Sequence, residues 1–584
     1  MKRILAALAI AAFSVASLTA CAGSSAVVKG SQLSIGEVGK LKTLNPDLAV
    51  SQESDALAAE LAQLTTVGFY YVDSDGKLVA NEKLGTVTVD SESPLTVSYK
   101  LTANAKWSDG TVLDASDLLL SWLAASDPTE AGFGSERAAT GLNEATKAPV
   151  VSKDGKTLTI EFDSSVSDYQ TALTIPVAAH AVVQSAFPSE GISAADAKQR
   201  LVSAVESSNS ADLEAIAKAY RKSFKLNGKL TDAKRATAGA YELVSADETG
   251  ISLKAKSDFT WGPTPKVETV KLKFYADTSA VLAALQSGDA DIAAPSEQGA
   301  LKNSDILAQL TAMKADGVKA QVAASTDTEQ VLLNFAPGSF FSPEAHKGNA
   351  KKAEKLALAF MQVIPRAKII AAAASDMNVV ESKSFVYPAS DPNYKALVQS
   401  NGSSAFRMSE IEKAREAVDK IAEVSGRYKV HVLFDSDSLR AQVEFSLIAE
   451  KSSAARFEMD NVSVSDISKV LPTSNWDVLI TESPLIASAH GRDALSTGLT
   501  RLANPAPAAA LAKASASSDA TKRAEALQEL DAALFAANFG LPLYQIPSIV
   551  AHNDRIGGFM PAPYGRSASY GYWFWSVESD KKQG

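Results

Sequence analysis

Tyr99-Lys100-Leu101 leads into Ala105-Lys106-Trp107-Ser108-Asp109-Gly110-Thr111, and Asp114-Ala115-Ser116-Asp117-Leu118 follows closely. Upstream, Leu95, Val97, Tyr99 and Leu101 alternate with Thr96, Ser98 and Lys100, the period of a half-buried strand. Asp109-Gly110 is a strong turn dipeptide. Asp114 or Ser116 can cap a helix that runs through Leu118, Leu119, Leu120 and Trp122. Strand, turn and capped helix in direct succession predict an α+β unit, and the neighbouring segments extend it. Leu158, Ile160 and Phe162 form a second strand entered by the Asp154-Gly155 turn, and residues 193–222 read as helical.

From Val270 the style changes. Val270, Leu272 and Phe274 alternate as a strand. Asp277 or Thr278 caps a helix through Val281, Leu282 and Leu285, and Gly288 ends it where a left-handed residue is needed. Ile292 starts a short strand. Helices are expected over 353–374, 409–424, 438–450 and 518–537, with strands at Tyr428–Phe434 and Trp476–Ile480. The Ala/Pro-biased stretch 504–516 reads as an exposed loop. Alternation of strands and helices predicts an α/β lobe with a largely parallel sheet behind the α+β first part.

The chain has 584 residues, 46% apolar and 21% charged, too long for one core and too apolar for disorder. Its 57 basic and 67 acidic residues give a net charge of −10, without the basic excess of a nucleic-acid binder. The one cysteine, Cys21, permits no internal disulfide and no CxxC pair. The five histidines lie far apart and form no HExxH, so no metal site and no cofactor are expected. No GxSxG occurs; Gly565-Arg566-Ser567-Ala568-Ser569 lacks the last glycine, and no paired nucleophile and base is visible, so an enzyme is not expected.

Lys2 and Arg3 precede an uncharged apolar run from Ile4 to Leu18, shorter than the ~20 residues that span a bilayer as a helix. Small residues follow at Ala20-Cys21-Ala22-Gly23, the pattern of a secretory signal. Leu18-Thr19-Ala20-Cys21 resembles the lipobox of bacterial lipoproteins. The resemblance implies a signal peptide over 1–20, a diacylglycerol on Cys21, and a lipidated tether over 21–28. The body is then held on the extracytoplasmic face of the cell membrane through its lipid alone.

Six blocks in order resemble the family-5 extracellular solute-binding proteins of ABC importers, the oligopeptide- and dipeptide-binding type. They are Leu44-Asn45-Pro46; the Ala105–Thr111 turn with its helix start; Gly239-Ala240-Tyr241 with Trp261-Gly262-Pro263; Leu285-Gln286-Ser287-Gly288-Asp289-Ala290-Asp291-Ile292; Leu332-Leu333-Asn334-Phe335 with Pro365-Arg366; and Leu541-Pro542-Leu543-Tyr544 with Ile556-Gly557-Gly558-Phe559. The resemblance implies a two-lobed periplasmic-binding-protein-like fold joined by two crossover strands, for which Val270–Phe274 and Leu541–Gln545 are the candidates. It places lobe I over 29–271, with an extra subdomain around 65–190, lobe II over 272–543, and a return to lobe I over 544–584. A monomer is expected, binding a peptide or other small solute and working with an ABC permease and its ATPase.

The same resemblance supplies candidate ligand contacts. Val50, Ser51 and Gln52 match a lobe I contact segment, although Ser51 also reads as a helix cap. Thr481, Glu482 and Ser483 continue the strand Asp477-Val478-Leu479-Ile480, where the family carries Gly-Trp and an acid for the peptide amine. That Gly-Trp and acid are missing, and Glu482 is either a displaced substitute or a structural carboxylate. Tyr544 and Gln545 lie on a crossover strand, facing the cleft or buried with a satisfied hydroxyl. Trp107 and Asp109 read as a packed indole and a turn, and the aromatic cluster of Tyr564, Tyr570, Tyr572, Trp573, Phe574 and Trp575 reads as core in preference to a platform for stacking sugars. The departure at Thr481–Leu485 leaves an alternative: a non-transport lipoprotein on the same fold that regulates cell-envelope assembly through a protein partner.

Overall fold

The computed structural model describes residues 27–578, except 49–51, 75, 136–140, 165, 227–234, 297–301, 375–378, 422–425, 474, 488–490, 493–494, 496–497, 499–501, 503, 518 and 564–566. Cys21, Val50, Ser51 and Tyr564 lie outside the described residues.

One ten-stranded mixed sheet runs through both lobes. Its strands, in chain order, are β1 (Val28–Val38), β2 (Tyr241–Asp247), β3 (Gly250–Ala255), β4 (Val267–Tyr275), β5 (Ile292–Ala293), β6 (Val318–Leu333), β7 (Tyr428–Leu433), β8 (Phe457–Asn461), β9 (Val478–Pro484) and β10 (Gly540–Asn553). Their spatial order is β8-β7-β9-β6-β10-β5-β1-β4-β3-β2. Two long strands, β6 and β10, pair antiparallel from Val318↔Asn553 to Leu332↔Gly540, with register shifts at Ala324/Thr328 and Glu329/Gln330.

The apolar cores separate along those two strands. Val318, Ile549 and Ala551 pack with the lobe I helix Thr278–Ser287, while Val331, Leu541, Leu543 and Tyr544 belong to the lobe II core. The first crossover is therefore β6, not Val270–Phe274. That segment, in β4, pairs parallel to β1 inside lobe I. A strand at 270 alternates just as a crossover would, so periodicity could not tell the two apart. The lobe II core correspondingly begins at Val331, well after residue 272. Nor is the lobe II sheet largely parallel: β7 pairs parallel with β8 and β9, but β6 runs antiparallel to both β9 and β10.

The opening stretch forms the expected unit. A four-stranded antiparallel sheet contains Leu95–Leu101 and Thr157–Glu161, and the helix Ala115–Ser126 follows with Asp114 as its cap. Trp107 is packed and Gly110 takes a φ of 88°, while the Asp109 carboxylate lies 2.7 Å from His180 Nε2. Asp117 is 1% exposed and ties three segments: it accepts from Asp114 N at 3.1 Å, from Ala179 N at 3.0 Å and from Lys198 Nζ at 2.7 Å. Gly288 ends its helix with φ 76°.

Several helices differ from expectation at their breakers. The run 193–222 splits into Ala194–Glu206 and Ser210–Lys222, and 353–374 becomes Ala350–Val363 and Arg366–Ala374 on either side of Pro365. The stretch 504–516 is no loop but contains the helix Ala506–Ser515, because Pro507 falls in the first turn and the alanines behind it favour helix. In the C-terminal cluster Tyr570, Tyr572 and Trp575 are buried and Phe574 is exposed.

Asp117→Ala would leave Lys198 buried without its closest carboxylate. The expected cost is about 3–5 kcal/mol in urea unfolding of the purified protein; a loss below about 1 kcal/mol would show that the contact is dispensable.

Candidate functional site

The cleft edges follow from strand direction. β5 runs parallel to β1 and antiparallel to β10, with Ile292↔His552 and Ala293↔Ala551, so the C-terminal end of β1 points toward lobe II. In lobe II the C-terminal ends of β7 and β9 lie beside the Asp327 end of β6, which points back toward lobe I. Ligands of open α/β sheets collect at such strand ends.

On the lobe II edge, Glu482 of β9, Glu329 of β6 and Tyr544 of β10 are successive cross-strand partners and form one row. Ser483, Thr328 and Gln545 form the next row, and Thr481 pairs with Gln330. The helix Leu439–Ala454 leaves β7, capped by Ser438, and lays its first turn over the acidic row. Arg440 Nε donates to Glu329 Oε2 at 2.6 Å, and Arg440 Nη2 to Glu482 Oε2 at 3.3 Å. One turn on, the buried Glu444 accepts the Tyr544 hydroxyl at 2.7 Å. Burial first, then the Glu444 and Glu329 carboxylates, push the Tyr544 phenol well above its ordinary range, so it stays a donor.

The structure thus gathers Glu482 and Tyr544 at one place. Glu482 is exposed at the rim, whereas Tyr544 is fully buried and holds Glu444. Gln545 is buried too; its side chain accepts from Ala389 N at 3.1 Å and donates to Ser325 O at 3.2 Å. Thr481 and Ser483 are half-buried, the Thr481 hydroxyl donating to Glu482 O. Glu329, Arg440 and Glu444 were not anticipated. Arg440 carried a signal, two residues after a helix cap, but Glu329 lies within the polar run Ser325–Gln330, where nothing in the sequence singles it out.

On the lobe I edge, Gln52 opens the helix Gln52–Thr65. The loop before it is held down by Asn45, whose side chain donates to Tyr220 O at 3.4 Å, and by Asp47, which accepts the Tyr220 hydroxyl at 2.8 Å. A cavity of about 340 Å³ lined by Lys29, Trp107, Lys254 and Lys256 lies at the opposite, N-terminal end of β1, away from the cleft. Among the described residues no group of three His, Cys, Asp or Glu side chains is placed to hold a metal ion.

The lobes meet again away from the crossover strands. Ser167 N donates to Ser515 O at 3.1 Å, Arg523 Nη1 donates to Ser167 O at 2.7 Å, and Arg492 Nη2 donates to the Ser167 hydroxyl at 3.2 Å. Arg492 also bonds the Asp168 carboxylate, with Arg523 4.0 Å from it. Burial, then the neighbouring Arg523, draws Arg492 down to about 10. The Asp168 carboxylate is what makes two adjacent guanidiniums tolerable there.

A profile of the bacterial extracellular solute-binding proteins, family 5 middle region, matches residues 44–455. The chain belongs to family 5 of the bacterial extracellular solute-binding proteins. Like its relatives in that family, this family-5 protein has the fold of the solute-binding proteins of ABC importers. A periplasmic EDTA-binding protein, EppA, superimposes with a TM-score of 0.73 at 17% identity, over 95% of this chain and 98% of its own. The Bacillus subtilis oligopeptide-binding protein AppA, solved with a nonapeptide, gives 0.62 at 14% identity over 94% and 99%. An uncharacterized lipoprotein of Mycobacterium bovis is 29% identical over 249 residues, 42% of either chain. One of Mycobacterium leprae is 37% identical over 114 residues, 19% of either chain. The match thus spans about two fifths of the M. bovis relative's length. Among the described residues of this family-5 protein no helix is long and apolar enough to cross a membrane.

Asp168→Ala removes the carboxylate between Arg492 and Arg523. The radius of gyration from solution X-ray scattering is expected to rise while far-UV circular dichroism stays unchanged. An unaltered scattering curve would mean that this contact does not hold the lobes together.

Proposed function

We propose that the protein is a lipid-anchored extracytoplasmic receptor that captures a peptide or similar small solute between its lobes and delivers it to an ABC import permease. The observation that carries this is the row Glu482–Glu329–Tyr544. Glu329 and Tyr544 stand on the two strands that join the lobes and Glu482 on β9 beside them, all on the edge that faces lobe I. Thr481, Glu482 and Ser483 form the accessible part of that edge, while Tyr544 and Gln545 support it from within. The resemblance assigns the lobe I contact to Val50, Ser51 and Gln52. Each carboxylate of the row is an acceptor only, so the solute must bring hydrogen-bond donors to it, such as N–H or hydroxyl groups.

The anchor rests on Cys21 behind its apolar run and on relatives named as lipoproteins. Hinge closure about β6 and β10 would present a changed outer surface to the permease.

Two measurements test this. Cys21→Ser is expected to move the protein from the membrane fraction to the soluble fraction with its fold intact; continued detergent-dependent extraction would refute the anchor. Mass spectrometry of solute released from protein purified from its native host is expected to find a peptide or other small donor-rich molecule. Protein that releases no solute yet captures a cell-envelope protein stoichiometrically would favour the regulatory alternative.

A further inference from the structure

β1 ends on a carboxyl group that a core strand does not need. Glu37 shares its face with Leu33 and Ile35, both in the lobe I core with Leu57 and Leu61 of the helix Gln52–Thr65. Glu37 is 8% exposed, and its Oε1 is fully buried without a hydrogen-bond partner. The neighbouring charge is Glu60, on that helix and 1% exposed. Glu60 is provided for: Ala568 N and Ser569 N each donate to it at 2.7 Å, and the Ser567 hydroxyl at 3.2 Å. Glu37 receives none of these donors. Among the described residues neither carboxylate forms an ion pair with a lysine, arginine or histidine. Burial, and then Glu60, push Glu37 well above the ordinary carboxylate range.

Burial without a donor disfavours the ionised form of Glu37, and a positively charged group placed against it would restore the carboxylate and pair with it. Glu37 stands at the C-terminal end of β1, on the lobe I edge of the cleft, so such a group can come from a bound solute. A divalent metal fits poorly. It asks for six or so oxygen ligands, and the Glu60 oxygens already accept three donors.

We propose that Glu37, backed by Glu60, is the lobe I seat for an ammonium or guanidinium group of the solute. The proposal rests on the receptor function above and adds its charge class: the solute is cationic at the end that meets lobe I. Glu60, held by donors from the segment Ser567-Ala568-Ser569, lies beside Glu37 and adds to the negative potential at the seat.

The test uses matched probes on the purified protein: tri-alanine against N-acetyl-tri-alanine, and cadaverine against 1,5-pentanediol, titrated by calorimetry. At least one charged probe is expected to bind about tenfold or more tightly than its neutral counterpart, as a charge-assisted contact implies. Glu37→Gln is expected to abolish that preference, whereas Glu37→Asp keeps part of it and guards against a folding defect in the first variant. A preference that survives in Glu37→Gln, equal binding of charged and neutral probes, no binding of any probe, or tight binding of Mn²⁺ in their place overturns the seat. Solute released from the native protein reports on the receptor function independently: a solute without a cationic group would end this inference and leave the receptor standing.

Discussion

Val318–Leu333 and Gly540–Asn553 lie against each other along nearly their whole length, and both lobes are built on that pairing. Every residue of the second strand is buried, so its backbone groups have no water to fall back on and must be met by the sheet. The ladder slips between Ala324 and Thr328, where the core of one lobe gives way to that of the other. A slip of this kind bends and twists a strand pair locally. The lobes can therefore turn about a few residues while the pairing on either side keeps each one rigid, and the acidic row begins immediately beyond the slip.

Charge is distributed across the cleft according to how well each group is provided for. Glu329 is buried and held by Arg440; Glu444 is buried and held by Tyr544; Glu482 stands at the rim where water can reach it. A buried charge with a fixed partner builds the site, because losing the partner is costly. Glu37 across the cleft is buried like Glu329 but lacks an Arg440 of its own. That asymmetry separates groups that shape the cleft from a group available to what enters it.

Much of the fold was legible because it is local. Alternation found the strands at Leu95–Leu101 and Tyr428–Leu433, and cap chemistry found Asp114, Asp277 and Gly288. Pairing is not local, so the first crossover was sought at Val270 rather than Val318, and the antiparallel run of β6 against β9 was invisible. Alanine and proline in 504–516 suggested a loop because composition says nothing of position, and a proline within the first helical turn does no harm. At the site, Glu482 and Tyr544 were legible only through resemblance. Glu329, Arg440 and Glu444 come from two distant segments that share a place only once the sheet is assembled.

Chain order sets when this architecture can be completed. β1 is synthesised first and finds β4 and β5 within the first half of the chain, but the far side of β5 waits for β10. The same late strand completes β6, and the donors that hold Glu60 come later still. Until residues 540–553 exist, the strand edges of β5 and β6 stand open, which invites mispairing. Contacts spanning this much sequence also form slowly. A nascent chain so arranged stays pliable until its last strand is made. Pliability of that kind would suit the extracytoplasmic role we propose, because a chain threaded across a membrane must stay unfolded and its unfinished edges would need protection on the way.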